Sequence, residues 1–255
     1  MKTMRILFLF MAMTVSATGL VARELVVFSA GAVKPALAVL APQWEANSGH
    51  RLRVTYASAG ELRAKLAAGE HADIIILPRE NLAAAGELFD AASRRDLGAV
   101  GIGVAVRAGA RLPDLSSEDA LKRELLAAKS VTYMDPARGT SGKYFDEVVL
   151  PKLAIRDLVR AKAVLGEGGM IAEKVARGEV EMAFQQMTEL LPVGGIAIAG
   201  MLPPSLQKIT VYTGAVMKSS KSPGEAAAFL AFLVSRESRA TFLARGFSPP
   251  PADLP

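Results

Sequence analysis

The chain has 255 residues, contains no cysteine and carries a formal net charge of +5 at pH 7. The absence of cysteine excludes a disulfide scaffold, a thiolate metal site, a cysteine nucleophile and a lipid-modified cysteine. Because the basic residues are scattered and form no aromatic-interleaved stripe, we predict no nucleic-acid partner.

The first 22 residues have the three-part pattern of a signal peptide. Lys2 and Arg5 precede an apolar segment over residues 6–15, and small residues offer cleavage points after Gly19 or Ala22. The apolar segment is shorter than the roughly 20 residues that a membrane-spanning helix needs. We therefore predict that residues 1–22 are removed and that the mature protein is periplasmic.

The next element is a strand that leads into a helix through small residues. An apolar, β-rich run over residues 25–28 is followed by Ser29, Gly31 and Ala32, and a helical pattern begins around Pro35. The first N–H groups of a helix have no acceptor within the helix, so they favour an anion. We predict that this corner contributes to an anion-binding site.

The same pattern occurs a second time, and a third strand follows. The strand RLRVTYAS ends in Ser58, Ala59 and Gly60 before another helix, and the apolar run over residues 74–77 is typical of a parallel strand buried on both faces. Alternating strands and helices predict an α/β fold with a doubly wound sheet. Ligands in such sheets bind beyond the carboxyl ends of the strands, which places the two corners around one cleft.

Two segments of the second half are expected to complete this cleft. After a strand over residues 131–134, the sequence DPARGTSGKYF turns sharply and begins a helix with Thr140 and Ser141 in its first turn. The strand over residues 182–184 leads into Gln185, whose amide can orient a polar ligand. The alternative roles are helix capping for the hydroxyl groups and fixing of neighbouring loops for the amide.

Three segments carry a specific resemblance: FSAGAVKPAL, YASAGELRAKLAAGEHADIIIL and GEVEMAFQQMTELLPVGGIAI. They resemble the molybdate-binding branch of the type II periplasmic solute-binding proteins, the ligand-binding subunits of ABC importers. The resemblance covers nearly the whole mature chain. It implies two lobes that close on the ligand, each a doubly wound, mostly parallel sheet flanked by helices. The implied boundaries are 23–104 with 213–255 for lobe 1, and 105–212 for lobe 2.

The resemblance also implies a small anionic ligand, an ABC permease of the inner membrane as partner, a monomer, and neither cofactor nor metal. Molybdate binders usually supply a serine hydroxyl at each of the first two corners, where this chain has Ala32 and Ala59. Gln185 falls near a position that often carries a ligand-contacting tyrosine. Each missing hydrogen bond to a charged ligand costs roughly 1.5–3 kcal/mol. The ligand is therefore either a molybdate-like oxyanion or a small organic carboxylate, with which Arg63, Arg79 or Arg138 could pair.

An enzymatic alternative rests on the sequence GTSG at residues 139–142. A nucleophile elbow needs glycine two residues after the serine, and Lys143 stands there after Ser141. Neither His50 nor His71 has a recognisable triad partner in the sequence. We therefore predict a binding protein that performs no chemistry, and keep a secreted serine hydrolase as the alternative.

Overall fold

The computed structural model of the chain describes residues 22–84 and 86–251. Residues 1–21 of the predicted signal peptide lie outside these described residues. The strands are β1 (Glu24–Ala30), β2 (Arg51–Ala57), β3 (Ile74–Pro78), β4 (Arg95–Arg107), β5 (Val131–Tyr133), β6 (Met182–Gln186), β7 (Ile196–Met201) and β8 (Ile209–Val216).

The α-helices surround these strands and are mostly short. They are α1 (Lys34–Ser48), α2 (Ala59–Ala67), α3 (Arg79–Ala83), α4 (Glu118–Ala127), α5 (Thr140–Tyr144), α6 (Leu150–Lys152), α7 (Arg156–Arg160), α8 (Glu173–Ala176), α9 (Met187–Leu190), α10 (Pro223–Leu233) and α11 (Arg236–Ala244). A π-helical turn, Phe145–Val149, joins α5 to α6. Within the described ranges, no helix has the length and apolar character needed to cross a membrane.

The strands form one path in the order β2, β1, β3, β8, β4, β6, β5, with β7 also pairing with β4. The pairs β1–β2, β1–β3 and β5–β6 are parallel, and β3–β8, β8–β4, β4–β6 and β4–β7 are antiparallel. The predicted α/β class is confirmed. The parallel β1, β2 and β3 place the carboxyl ends of three strands at one edge of the sheet.

Strand β4 connects the two halves of the molecule because it changes partners along its length. Its first part, as far as Gly101, pairs with β8, and its second part, from Ile102 onward, pairs with β6 and β7. The first sheet (β2, β1, β3, β8) packs on two apolar clusters, and the second sheet (β5, β6, β7) packs on others. The boundaries at 104/105 and 212/213 stay a prediction.

The first strand and helix follow the sequence pattern closely. In β1, Leu25 and Val27 face one core and Val26 and Phe28 face the other, as a strand buried on both faces requires. Helix α1 ends at Gly49, whose φ of 71° lies in the left-handed region that glycine adopts without strain. The strand continues through Ala30, so the turn into α1 is the short 3₁₀ segment Gly31–Val33.

A buried carboxylate fixes the helices of the second half. Asp146, in the π-helical turn, has no exposed surface and accepts hydrogen bonds from Tyr133 Oη (3.0 Å), Arg156 Nη2 (2.7 Å) and Arg160 Nε (2.6 Å). Burial raises the pKa of Asp146, but the hydrogen bonds from the two arginines and the tyrosine outweigh it and hold the pKa below the ordinary value. The carboxylate therefore joins the π-helical turn to β5 and α7.

We expect Asp146→Asn to destabilise the protein by roughly 3 kcal/mol, because two arginines lose their shared carboxylate. The contribution of Asp146 is present above its unfolded pKa and is lost as the pH falls through its lowered folded pKa. Urea unfolding at pH 7 would measure the effect. Asp119→Asn, at an exposed carboxylate of α4, is the control and should cost less than about 1 kcal/mol. Equal effects of the two substitutions would contradict this role of Asp146.

Candidate functional site

A cleft of about 1070 Å³ lies at the carboxyl ends of β1, β2 and β3 and is closed on the other side by segments of the second half. Its first wall comprises the corner at Gly31 and Ala32 and the beginning of α2. Its second wall comprises Met134, the turn before α5, and the loop 166–171. The cleft is large enough for a small organic molecule.

The wall at α2 begins with a capping box. The Ser58 hydroxyl accepts a hydrogen bond from Glu61 N (3.2 Å), and Glu61 Oε2 accepts one from Ser58 N (3.0 Å). The Ser58 hydroxyl oxygen therefore stabilises the helix start as an acceptor, which leaves its O–H group able to donate to a ligand. Ala32 and Ala59, which also line the cleft, offer backbone groups alone.

The opposite wall depends on a close approach of two backbone segments. Gly139, Thr140 and Ser141 line the cleft, and a Cβ at Gly142 would overlap the carbonyl oxygen of Met134. Glycine is therefore required at position 142 for α5 to pack against the end of β5. Thr140 Oγ1 lies 3.4 Å from Asn81 Oδ1, so this wall also contacts the segment after β3.

Three polar side chains line the inner part of the cleft: Gln186, Glu189 and Tyr212. Gln186 Nε2 donates to Thr210 Oγ1 (3.2 Å), while its Oε1 is buried and has no partner within the described part of the chain. Glu189 lies against the first corner, because a Cβ at Gly31 would be 3.2 Å from Glu189 Oε1. These three side chains form the floor of the cleft.

The carboxyl of Glu189 has the most unusual electrostatics of the site. Burial raises the pKa of Glu189 to about 8, against the opposing effect of a hydrogen bond with Gln185. Burial, followed by the charge of Glu189, also raises the pKa of Tyr212 well above its ordinary value. At neutral pH, Glu189 is therefore mostly protonated and can both donate and accept a proton near pH 8.

Charged side chains surround the mouth of the cleft. Five cationic residues line it, and four carboxyl groups including Glu189 accompany them, so protonation of Glu189 leaves an excess of positive charge. Lys34 has no ion pair with a carboxylate of the described residues, and its Nζ lies 5.7 Å from the ring centroid of Tyr56. The cations are Lys34, Lys65, Arg138, Lys174 and Arg177, and the carboxyl groups at the mouth are those of Glu61, Glu167 and Glu173.

Six of the nine residues singled out from the sequence line the cleft: Gly31, Ala32, Ser58, Ala59, Thr140 and Ser141. Ser29 is fully buried within β1, and its hydroxyl donates to the carbonyl of Ala30 (3.2 Å). Gln185 is also fully buried: it accepts from Ile171 N (3.1 Å) and donates to Gly169 O (2.7 Å). Gly60 lines a neighbouring pocket on the other side of Arg138.

Gln185 therefore fixes the loop 166–171, the alternative role considered for it above. The three arginines considered as partners of a ligand carboxylate also differ in where they lie. Arg138 lines the cleft, Arg63 lines the neighbouring pocket, and Arg79 forms an ion pair with Asp96. Arg138 is thus the one of these three that faces the space available to a ligand.

The three residues of the floor, Gln186, Glu189 and Tyr212, are not among the site residues predicted from the sequence. Glu189 follows Gln185 by four residues, but it reaches the first corner only through the packing of α9 against the segment Gly31–Val33. Tyr212 lies in β8, a strand that contributes to the site through its pairing with β3. In the sequence, Glu189 is marked only by its place shortly after a buried strand. Carboxylates at such places are common outside functional sites as well.

The structure gives little support to a serine hydrolase. Ser141 lines the cleft, but neither histidine of the described part of the chain does. His50 Nδ1 accepts from Arg23 N (3.2 Å), and His71 pairs with Asp73 (3.3 Å). Within the described ranges there is also no group of three or more His, Asp and Glu side chains suited to a metal ion.

Comparisons with known proteins agree on the fold and differ in ligand. The sequence matches the family model of the bacterial extracellular solute-binding proteins over residues 25–248. A protein of Pseudomonas sp named aconitate isomerase is 35% identical over 253 residues, which cover 94% of this chain and 95% of that protein.

Solved structures of periplasmic binding proteins resemble the whole fold. The periplasmic molybdate-binding protein of Azotobacter vinelandii superimposes with a TM-score of 0.74 at 19% identity, over 89% of this chain and 100% of the other. The sulfate-binding protein of Mycobacterium tuberculosis gives 0.73 at 19% identity, over 89% and 87%. At these identities the similarity concerns the fold, and it confirms the predicted type II periplasmic binding architecture. The chain belongs to the bacterial extracellular solute-binding protein family.

Proposed function

We propose that this protein binds a small organic polycarboxylate in the cleft and isomerises it by moving a proton between two carbon atoms. The observation that carries the proposal is Glu189, a carboxyl group with its pKa raised to about 8, in a cleft lined by cationic side chains. The full-length similarity to a protein named aconitate isomerase indicates the class of substrate, an unsaturated tricarboxylate.

The cleft fits a carboxylate better than a tetrahedral oxyanion. Binders of such dianions need nearly all of their uncharged donors, and Ala32 and Ala59 provide no hydroxyl at the two corners. A polycarboxylate is larger and can place its charges near the cations at the mouth and its carbon chain near the floor.

The proton shift requires one group that acts first as a base and then as an acid. In aconitate, a CH₂ group lies between a carboxylate and a carbon–carbon double bond. We propose that the Glu189 carboxylate removes a proton from this CH₂ carbon, and the electron pair of the broken C–H bond forms a new double bond. The electrons of the former double bond move onto its far carbon and the carboxylate attached to it.

Glu189 then returns its proton to that far carbon, so protons and electrons balance without a cofactor. In aconitate, the CH₂ carbon and the vinyl carbon each carry a carboxylate and flank the same central carbon, so the shift gives aconitate again. The conformation held in the cleft decides whether the new double bond is cis or trans. The negative charge that develops on the carboxylate would be stabilised by cations such as Arg138 and Lys34. With its pKa raised to about 8, Glu189 is ionised in a minor part of the molecules at pH 7, and this form supplies the base.

A second candidate function is ligand capture without turnover. The family match supports it, because the family is one of extracellular solute-binding proteins. In this case the protein is periplasmic after removal of its signal peptide, and the lobes close on a carboxylate or another small anion and deliver it to an ABC permease of the inner membrane. Glu189 would then act as a hydrogen-bond donor to the bound ligand.

We expect the purified mature protein to convert cis-aconitate into trans-aconitate, which proton NMR follows directly. In D₂O, deuterium should enter the vinyl and CH₂ positions to the extent that the proton on Glu189 exchanges with solvent before its return, and direct return keeps protium there. Calorimetric binding of propane-1,2,3-tricarboxylate, which has no double bond, would measure binding in the absence of turnover. Binding of this acid without conversion of aconitate would support the second candidate. No binding of any tricarboxylate, together with saturable binding of molybdate or sulfate, would overturn the proposal.

A further inference from the structure

One ion pair joins the two walls of the cleft at its mouth. Arg138 Nη2 lies 2.6 Å from Glu61 Oε1, and the two side chains are each 41% exposed. Glu61 belongs to the first turn of α2, and Arg138 belongs to the turn that precedes α5. Both residues line the cleft, so the pair occupies space that a ligand can enter.

Glu61 does not depend on Arg138 for its hydrogen bonds. Its second carboxylate oxygen accepts from Ser58 N (3.0 Å) in the capping box. The pKa of Glu61 is held below its ordinary value first by the hydrogen bond from the Ser58 backbone and then by Arg138. A negative charge at the beginning of a helix is also favourable in itself. Glu61 thus stays well solvated and hydrogen-bonded when Arg138 moves away.

Arg138 is the more available partner of this pair. Its hydrogen bond to Glu61 joins groups exposed to solvent, and an ion pair in such a setting contributes little to stability. The guanidinium has further N–H donors in a planar arrangement that matches a carboxylate. A carboxylate that enters the cleft can therefore replace Glu61 on Arg138.

We propose that Glu61 takes the place of a ligand carboxylate on Arg138 in the unliganded protein, and that a bound polycarboxylate displaces it. Arg138 is then a ligand-binding residue whose availability Glu61 sets. This inference rests on the proposed polycarboxylate ligand. The cleft has several carboxylates at its mouth and can still accept a polyanion, because a ligand carboxylate takes the place of Glu61 on Arg138.

A second ion pair provides a matched control. Lys208 Nζ lies 2.7 Å and 3.0 Å from the two oxygens of Glu80 and joins the segment before β8 to α3. Like the first pair, it links residues of the two predicted lobes, but neither of its members lines the cleft. Glu80→Gln therefore removes a bridging charge without changing Arg138.

The test is calorimetric titration of the wild-type protein and three variants with propane-1,2,3-tricarboxylate. We expect Glu61→Gln to bind about three- to fivefold more tightly, because the competing carboxylate is gone. Glutamine is compatible with the capping box, so α2 keeps its beginning. Arg138→Gln should bind roughly 10- to 100-fold more weakly, and Glu80→Gln should stay within about twofold. Circular dichroism melting would establish that each variant is folded.

Weaker binding by both Glu61→Gln and Glu80→Gln would overturn the inference, because the two pairs would then act as latches that hold the lobes closed. Unchanged affinity in folded Arg138→Gln would overturn it as well. Both results presuppose that the wild-type protein binds the tricarboxylate, so they would leave the polycarboxylate ligand of the proposed function in place. A wild-type protein that binds no tricarboxylate would reject the proposed function, and with it the exchange on Arg138.

Discussion

Glu189→Gln is expected to abolish the isomerisation of cis-aconitate while the protein still binds propane-1,2,3-tricarboxylate. General acid–base groups contribute typically 10²- to 10⁴-fold to a rate, so turnover should fall by roughly this factor. Glutamine has nearly the same size and keeps a hydrogen-bond donor where a protonated Glu189 has one. The cations at the mouth remain, and we therefore expect little change in affinity.

NMR would measure the initial rate of isomerisation at a saturating concentration of cis-aconitate. Calorimetry on the same protein preparations would measure the affinity for propane-1,2,3-tricarboxylate. Glu87→Gln, an exposed carboxylate outside the cleft, is the control and should keep its rate within about twofold. The pH profile supplies an independent readout. Because the carboxylate form is the base, the wild-type rate should rise as the pH increases through about 8.

Three results would contradict this role of Glu189. An unchanged rate in Glu189→Gln would mean that another group moves the proton. A rate that rises through a much lower pH would mean that the base has an ordinary carboxyl pKa and is not Glu189. A large loss of affinity with the rate constant preserved would assign Glu189 to binding alone.

The position of the cleft was predictable because it depends on local pattern. A strand followed by small residues and a helix start recurs at Gly31 and at Ala59, and parallel pairing brings the carboxyl ends of the two strands together. The capping serine at position 58 and the stop at Gly49 also follow from local backbone chemistry. These features need no knowledge of distant contacts.

The orientation of individual side chains was less predictable. Ser29 continues the alternation of β1 and shares a face with Leu25 and Val27, so it is buried with them. The apolar run ends at Phe28, which predicts a turn at Ser29, but the strand continues as far as Ala30. Gln185 and Gln186 are neighbours in β6, and the pleat sends the first to the loop 166–171 and the second to the cleft. An error of one residue in the alternation of a strand assigns a side chain to the wrong face of the sheet.

Glu189 could not be recognised from the sequence, because its properties come from its surroundings. The raised pKa results from burial among residues of α9, the first corner and β8, which are far apart in the chain. Most carboxylates near the end of a helix are solvated. What distinguishes Glu189 is that Gly31 lacks a side chain, which leaves room for its carboxyl group beside the backbone of the corner.

The same burial has a consequence for stability that is independent of any ligand. In the unfolded chain Glu189 has an ordinary pKa of 4.5, and in the folded protein the pKa is about 8. Between these values the folded state holds a proton that unfolding releases, so the free energy of unfolding decreases as the pH rises through this window. The full difference corresponds to at most about 5 kcal/mol, and to less where the cleft gives Glu189 access to water.

We expect the ligand-free wild-type protein to lose stability relative to Glu189→Gln as the pH rises from about 5 to about 9. Urea unfolding at several pH values, taken as the difference between the two proteins, cancels the contributions of the other titrating groups. The variant should be the more stable of the two at pH 9, since it keeps a neutral amide where the wild type has a buried charge. A constant difference across this range would show that Glu189 ionises normally, and an ordinary carboxylate at this place would remove the physical basis for its role as the acid–base group.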